Sequence, residues 1–163
     1  KMSIIKMMDR LKPKRIVIVS SAPQIRYPDC YGIDMSKLGD FIAFKAAVAL
    51  LQDTRQEHIL TEVHEKIKAL DAAGELHTEN VVRNIYKPFT TLQISDKIAE
   101  LITPPEVSTP VEVIYQTIED LHVCCPTNTG DWYFTGNYPT PGGNKVVNKA
   151  FLNYIEGKNE RGY

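Results

Sequence analysis

A chain of 163 residues with 19 Lys+Arg against 20 Asp+Glu carries a net charge of -1, which argues against a nucleic-acid footprint or a polybasic membrane surface. Hydrophobic residues at 43% and charged residues at 24% suit a soluble globular domain with one core, and no apolar run reaches the roughly 20 residues of a membrane helix. Three cysteines are too few, and odd in number, for a disulfide scaffold, so a reducing cytoplasm is expected; the Met2–Leu11 segment, broken by Lys6, Asp9 and Arg10, does not read as a signal peptide.

Ile4, Ile5, Met8 and Leu11 recur at helical spacing from the start, with Lys1 ahead of Met2 and no capping box. The reading is a piece of something longer, cut inside or just before a helix that Pro13 ends. Ile16-Val17-Ile18-Val19 follows behind Lys14-Arg15; an unalternating aliphatic run predicts a strand buried on both faces. It empties into Ser20-Ser21-Ala22-Pro23 and a loop bearing Arg26, Tyr27, Asp29, Cys30, Tyr31 and Asp34. The carboxyl edge of a parallel sheet is where open α/β folds place ligand chemistry, and a loop so rich in Arg, Tyr and Asp reads as functional.

A helix is expected from Ser36, with Leu38, Phe41, Ile42, the Lys45 stem, Ala49 and Leu51 on its inner face. Asp53-Thr54 restarts a helical pattern through Ile59, Leu60, Val63, Ile67 and Leu70, closed by Gly74 in the left-handed conformation. Its charges, including a Glu62–Lys66 pair at i, i+4, read as a solvated face. A short helix is expected from Thr78-Glu79 over Val81, Val82 and Ile85, and another capped by Thr90 or Thr91 and ended by Pro104-Pro105. Residues 46–103 thus read as wholly helical. Val111-Glu112-Val113-Ile114-Tyr115 favours a strand, although 111, 114, 118 and 121 also fit a helical stripe; a helix from Thr117 to about Cys124 follows. Four aromatics crowd residues 132–138, Gly142-Gly143 reads as a hinge, and Asn144 caps a last helix through Val147, Phe151, Leu152 and Ile155.

Chemical motifs are sparse. Of His58, His64, His77 and His122, only His122 lies near a cysteine, Cys124, and no zinc-ligand spacing occurs. Ser20, Ser21 and Cys30 lack a nucleophile-elbow context. Gly142-Gly143-Asn144 lacks the remainder of a phosphate-binding loop. The 132–138 aromatics offer either a base-stacking surface or an anchor for the tail.

The residues Ala22-Pro23-Gln24-Ile25-Arg26-Tyr27-Pro28-Asp29-Cys30-Tyr31-Gly32-Ile33-Asp34-Met35 closely resemble the amidophosphoribosyltransferase stretch that reads roughly APP-x-R-x-P-x-x-YGIDM. Tyr133-Phe134-Thr135-Gly136-Asn137-Tyr138-Pro139-Thr140 is similar to that family's later F-T-G-x-Y-P-T segment. Two motifs in the right order make a specific signal covering residues 1–45 and about 108–157. The resemblance implies an α/β fold, a partial type I phosphoribosyltransferase parallel sheet (1–45 and 108–157) interrupted by a mainly helical insertion (46–107), with 158–163 disordered.

It also implies a cytoplasmic, homo-oligomeric enzyme that moves ammonia from glutamine to phosphoribosylpyrophosphate, with purine nucleotides as feedback inhibitors. Mg2+ would be bound in the full-length enzyme by ligands outside this chain, whose own part would be inactive alone. The family's acidic pair and Gly-Thr-Thr turn would lie just before the first helix. Asp29, Thr127 and Gly130 stand where the iron-sulfur members of the family have cysteines, so no cluster is expected. Tyr31 and Asp34 are the positions the resemblance sets beside the site. Asp34 could alternatively cap the following helix, and Arg26 could either pair with Asp29 or face a phosphate. The rival expectation is a non-catalytic regulatory or oligomerisation module, its helices carried on an α/β support.

Overall fold

A computed structural model describes residues 2–31, 35–127, 130–158, 160 and 162. Asp34 and part of the tail expected to be disordered (159, 161 and 163) lie outside the described residues. Helix α1 (Met2–Asp9) leads to strand β1 (Ile16–Ser20). A 3-10 turn (Leu38–Asp40), α2 (Ile42–Asp53), α3 (His58–Ala72), a second 3-10 turn (Val81–Ile85) and α4 (Thr91–Ile102) come next. They are followed by β2 (Val111–Tyr115), α5 (Ile118–Cys124), α6 (Trp132–Thr135) and α7 (Pro141–Ile155). β1 and β2 pair in parallel, Ile16 opposite Val111 and Ser20 opposite Tyr115. A parallel pair needs a crossover of at least a dozen residues; here the crossover has grown into the helical block between the strands. The architecture is α/β in this coarse sense, and no described helix is long and apolar enough to cross a membrane.

β1 is covered on one face only. Ile16 and Val113 are buried, and Ile18 and Tyr115 pack against the core, whereas Val17 is 38% and Val19 71% exposed. The expectation of burial on both faces is corrected: an aliphatic run reports affinity for cover, not how many layers supply it. α4 packs on β2 and on α2, filling the inner side. The outer side, where Ile114 joins Val17 and Val19, stays open, and Ile4 and Met7 of the neighbouring α1, with Leu11 in the turn after it, are also exposed. Asp9, at the end of α1, ties that helix to the approach to β2 by accepting from Thr109 Oγ1 at 2.6 Å and Thr109 N at 2.9 Å.

The core gathers Phe44, Leu51, Ile67, Val82, Ile94, Ile98 and Phe151, all at most 1% exposed. Phe44 meets Phe151 and Tyr154 edge-on at 6.4 and 4.8 Å, and burying it contributes roughly 1.5–3 kcal/mol. α7 is fastened to the helical block by Asn148, a fully buried amide. Its Nδ2 donates to Leu76 O at 2.9 Å and Glu79 O at 2.8 Å, and its Oδ1 accepts from Val81 N at 3.2 Å.

Several boundaries differ from expectation. Ser36 does not open a helix: the Leu38–Asp40 turn intervenes, and α2 begins at Ile42 with Phe44 facing inward and Lys45 exposed. α2 runs through Asp53, Arg55 takes a positive φ of 56°, and α3 starts only at His58. The Thr78 helix is a 3-10 turn at Val81–Ile85. α1 ends at Asp9, before Pro13 acts. α7 begins at Pro141, so Gly142 and Gly143 form its first turn instead of a hinge, and Asn144 is not its cap. Pro at the first helical position is pre-organised for that start. Lys66 pairs with Glu79 at 2.7 Å, in place of the expected Glu62. Strand 111–115, the Thr117 helix and Gly74 at φ 73° are found as read, and of the two threonines offered as cap it is Thr90 that takes the position. Thr90 forms a full capping box with Gln93.

Candidate functional site

The loop leaving β1 is held from two sides. On one side Gln24, 2% exposed, donates Nε2 to Thr91 O and to Ser95 Oγ, both at 2.9 Å, at the start of α4. Its Oε1 accepts from Arg26 Nε at 3.2 Å and Nη2 at 2.8 Å, and the guanidinium also reaches Thr91 Oγ1 and lies 5.3 Å from the Tyr86 ring centre. Tyr86 closes the network by donating its hydroxyl to Arg26 O at 2.8 Å. Arg26 therefore anchors the loop to α4, a third role beside the two its sequence position left open.

On the other side stands the segment around α6. Tyr133 O accepts from Arg26 N at 2.8 Å and Tyr27 N at 3.1 Å, and the Tyr133 hydroxyl donates to Asp29 Oδ1 at 2.7 Å. Asp29 is fully buried; its Oδ2 accepts from Tyr31 N at 2.9 Å. Tyr138 donates its hydroxyl to Pro28 O at 2.7 Å. Tyr31, 65% exposed, sets its ring edge-on to Trp132 at 5.6 Å, and Trp132 stacks with Tyr133 at 5.3 Å. The aromatic patch thus anchors the loop rather than a free tail. The two stretches singled out in the sequence form one unit at the carboxyl end of β1.

The electrostatics keep protons on. Burial pushes Tyr27 up to about 12, against the opposing pull of Arg26 and Arg83. Tyr133 is pushed up to about 12 by burial and by the Asp29 carboxylate that its hydroxyl meets. Tyr86 and Tyr138 are also raised, chiefly through burial. Burial, reinforced by Asp29, raises the Cys30 thiol, which removes it as a thiolate nucleophile at neutral pH. Such groups bind and orient; they are not general bases.

Of the sequence candidates, Arg26 faces α4 and Tyr31 the exposed rim, while Asp34 lies outside the described residues. Gln24, Asp29 and Tyr133 carry the unit and were not singled out as site residues. Their only sequence signal is membership of the two motifs, since partners 104 residues apart leave no local pattern. His122 does not approach a metal set; its Nε2 meets Asp131 Oδ2 at 2.9 Å. No three His, Cys, Asp or Glu side chains converge as metal ligands among the described residues. No protein family, no characterised protein and no solved structure matches the chain.

Proposed function

We propose that this chain is the C-terminal part of an amidophosphoribosyltransferase. The enzyme forms a C–N bond between ammonia, released from glutamine, and the anomeric carbon of phosphoribosylpyrophosphate. The C–O bond to pyrophosphate breaks and the nitrogen loses a proton. The loop 20–37, backed by 131–140, is one wall of that site on a type I phosphoribosyltransferase sheet. The supporting observation is the junction itself: the two segments that resemble the family are joined through Asp29, Tyr133 and Tyr138. That junction lies where α/β sheets place their ligands.

In this reading Gln24 and Arg26 fix the loop, Tyr31 presents its ring at the rim, and the Asp34 carboxylate orients ammonia or steadies charge developing at the anomeric carbon. Asp34 is assigned on the resemblance alone. No step is routed through magnesium; the resemblance puts its ligands in an acidic pair ahead of Lys1. The codons preceding Lys1 are expected to encode that pair and a Gly-Thr-Thr turn. A coding sequence without them would overturn the reading. Calorimetric titration of the isolated chain with phosphoribosylpyrophosphate and magnesium is expected to show no binding, and tight binding would contradict the division of the site.

A further inference from the structure

A second feature lies between the Val81–Ile85 turn, the Gly136–Tyr138 segment and the first turn of α7. There a polar cavity of about 480 Å³ opens, within the size range of small-molecule sites. Its wall is rich in amides, from Asn80, Asn84, Asn137 and Asn144, and holds two cations, Arg83 and Lys87. Neither cation has a carboxylate partner among the described residues. Glu79, the one acid of the wall among the described residues, is already paired with Lys66 at 2.7 Å. The cavity is locally positive in a chain whose net charge is -1.

Two polar atoms of the wall are buried without a hydrogen bond. Arg83 donates Nη2 to Asn137 Oδ1, but its Nε has no partner. Asn80, only 9% exposed, donates Nδ2 to Gly136 O at 3.2 Å and leaves Oδ1 unmatched. An unmet buried group costs roughly 1–3 kcal/mol; both belong to side chains that line the cavity, although each atom is itself closed off from solvent in this structure. A guanidinium fork with an ammonium nearby suits the several oxygens of a phosphate, whereas a lone carboxylate would occupy only one cation well. Amides offer a donor and an acceptor each, which suits hydroxyl groups. Among the described residues the wall's one ring is Tyr138, which packs against the core and so closely on Gly143 that a Cβ there would fall 2.3 Å from it, which leaves little free ring face for stacking a nucleobase.

We propose that this cavity binds a small phosphate monoester rich in hydroxyl groups, a sugar phosphate, with Arg83 and Lys87 on the phosphate and the asparagines on the hydroxyls. The proposal stands apart from the function proposed above and does not require it. Calorimetry on the chain at fixed ionic strength, with glucose 6-phosphate, inorganic phosphate and glucose as separate probes, tests it. Glucose 6-phosphate is expected to bind saturably at one site, phosphate more weakly and glucose alone undetectably. Lys87→Gln, a change at an exposed side chain, and Arg83→Gln should each weaken glucose 6-phosphate by roughly tenfold or more, the scale of a lost charge-assisted hydrogen bond. Arg83→Lys should retain part of the affinity. If Arg83→Gln fails to fold, Lys87→Gln decides. No saturable binding at millimolar glucose 6-phosphate, or wild-type affinity in a folded Lys87→Gln protein, would overturn the site. Equal affinity for phosphate and glucose 6-phosphate would overturn the hydroxyl contacts.

Discussion

Asp29 is the residue on which the loop turns. A carboxylate with no solvent exposure keeps its charge only if its oxygens are met, and here a tyrosine hydroxyl and a backbone N–H meet them. Asp29→Ala should lower stability by about 2–3 kcal/mol, since it orphans Tyr133 Oη and Tyr31 N together; chemical denaturation measures it, and a loss below about 0.5 kcal/mol would contradict the described junction. Alkaline pH probes the same contacts. Tyr27 and Tyr133 titrate near 12 when folded, against an ordinary value of 10.0. Above pH 10 the unfolded chain releases protons that the folded protein keeps. Their stabilising contribution is therefore full below pH 10 and is lost as pH rises through about 12. Melting temperature should fall across that window, with a shallower slope in Tyr133→Phe. An identical slope in that variant would dissociate Tyr133 from the effect.

At the scale of elements, the start of α7 shows where sequence patterns stop being informative. A Gly-Gly pair after Pro reads as a hinge, yet both glycines are helical. Gly143 is there for space: a Cβ would fall 2.3 Å from the Tyr138 ring, whereas one on Gly142 would meet only Thr140 Oγ1 at 3.7 Å. Gly143→Ala should cost about 1–3 kcal/mol by overpacking. Gly142→Ala should be neutral or stabilise by up to about 1 kcal/mol. Paired thermal melts separate the two, and equal effects would refute the distinction. Where chemistry is local, the sequence is sufficient: a threonine cap at 90–91, the Gly74 terminus and the β2 alternation need only neighbouring residues. The aliphatic run of β1 suggests cover on both faces because a sequence pattern cannot count layers. Since Val19 is 71% exposed, Val19→Lys should change stability by no more than about 0.5 kcal/mol, and a loss of about 2 kcal/mol or more would indicate cover on its outer face.

For the whole molecule, the parallel β1–β2 pair and its helical crossover create one core and one loop-bearing edge. The sequence conveyed the α/β class and drew attention to both segments of the candidate site. It did not convey that Asp29 and Tyr133 meet, because that contact depends on how the crossover returns the chain. Nor did it convey the Asn148 clamp or the amide-lined cavity, both assembled from distant segments by packing against α7. The central claim concerns the edge. Its most direct test is ammonia-dependent release of pyrophosphate from phosphoribosylpyrophosphate by the full-length enzyme proposed above, compared with its Asp34→Asn variant. The account predicts turnover in the wild type and a loss of at least about tenfold in the variant, roughly 1.4 kcal/mol of transition-state stabilisation, at an unchanged melting temperature. Absence of turnover in the wild type, or wild-type turnover in Asp34→Asn, would contradict it.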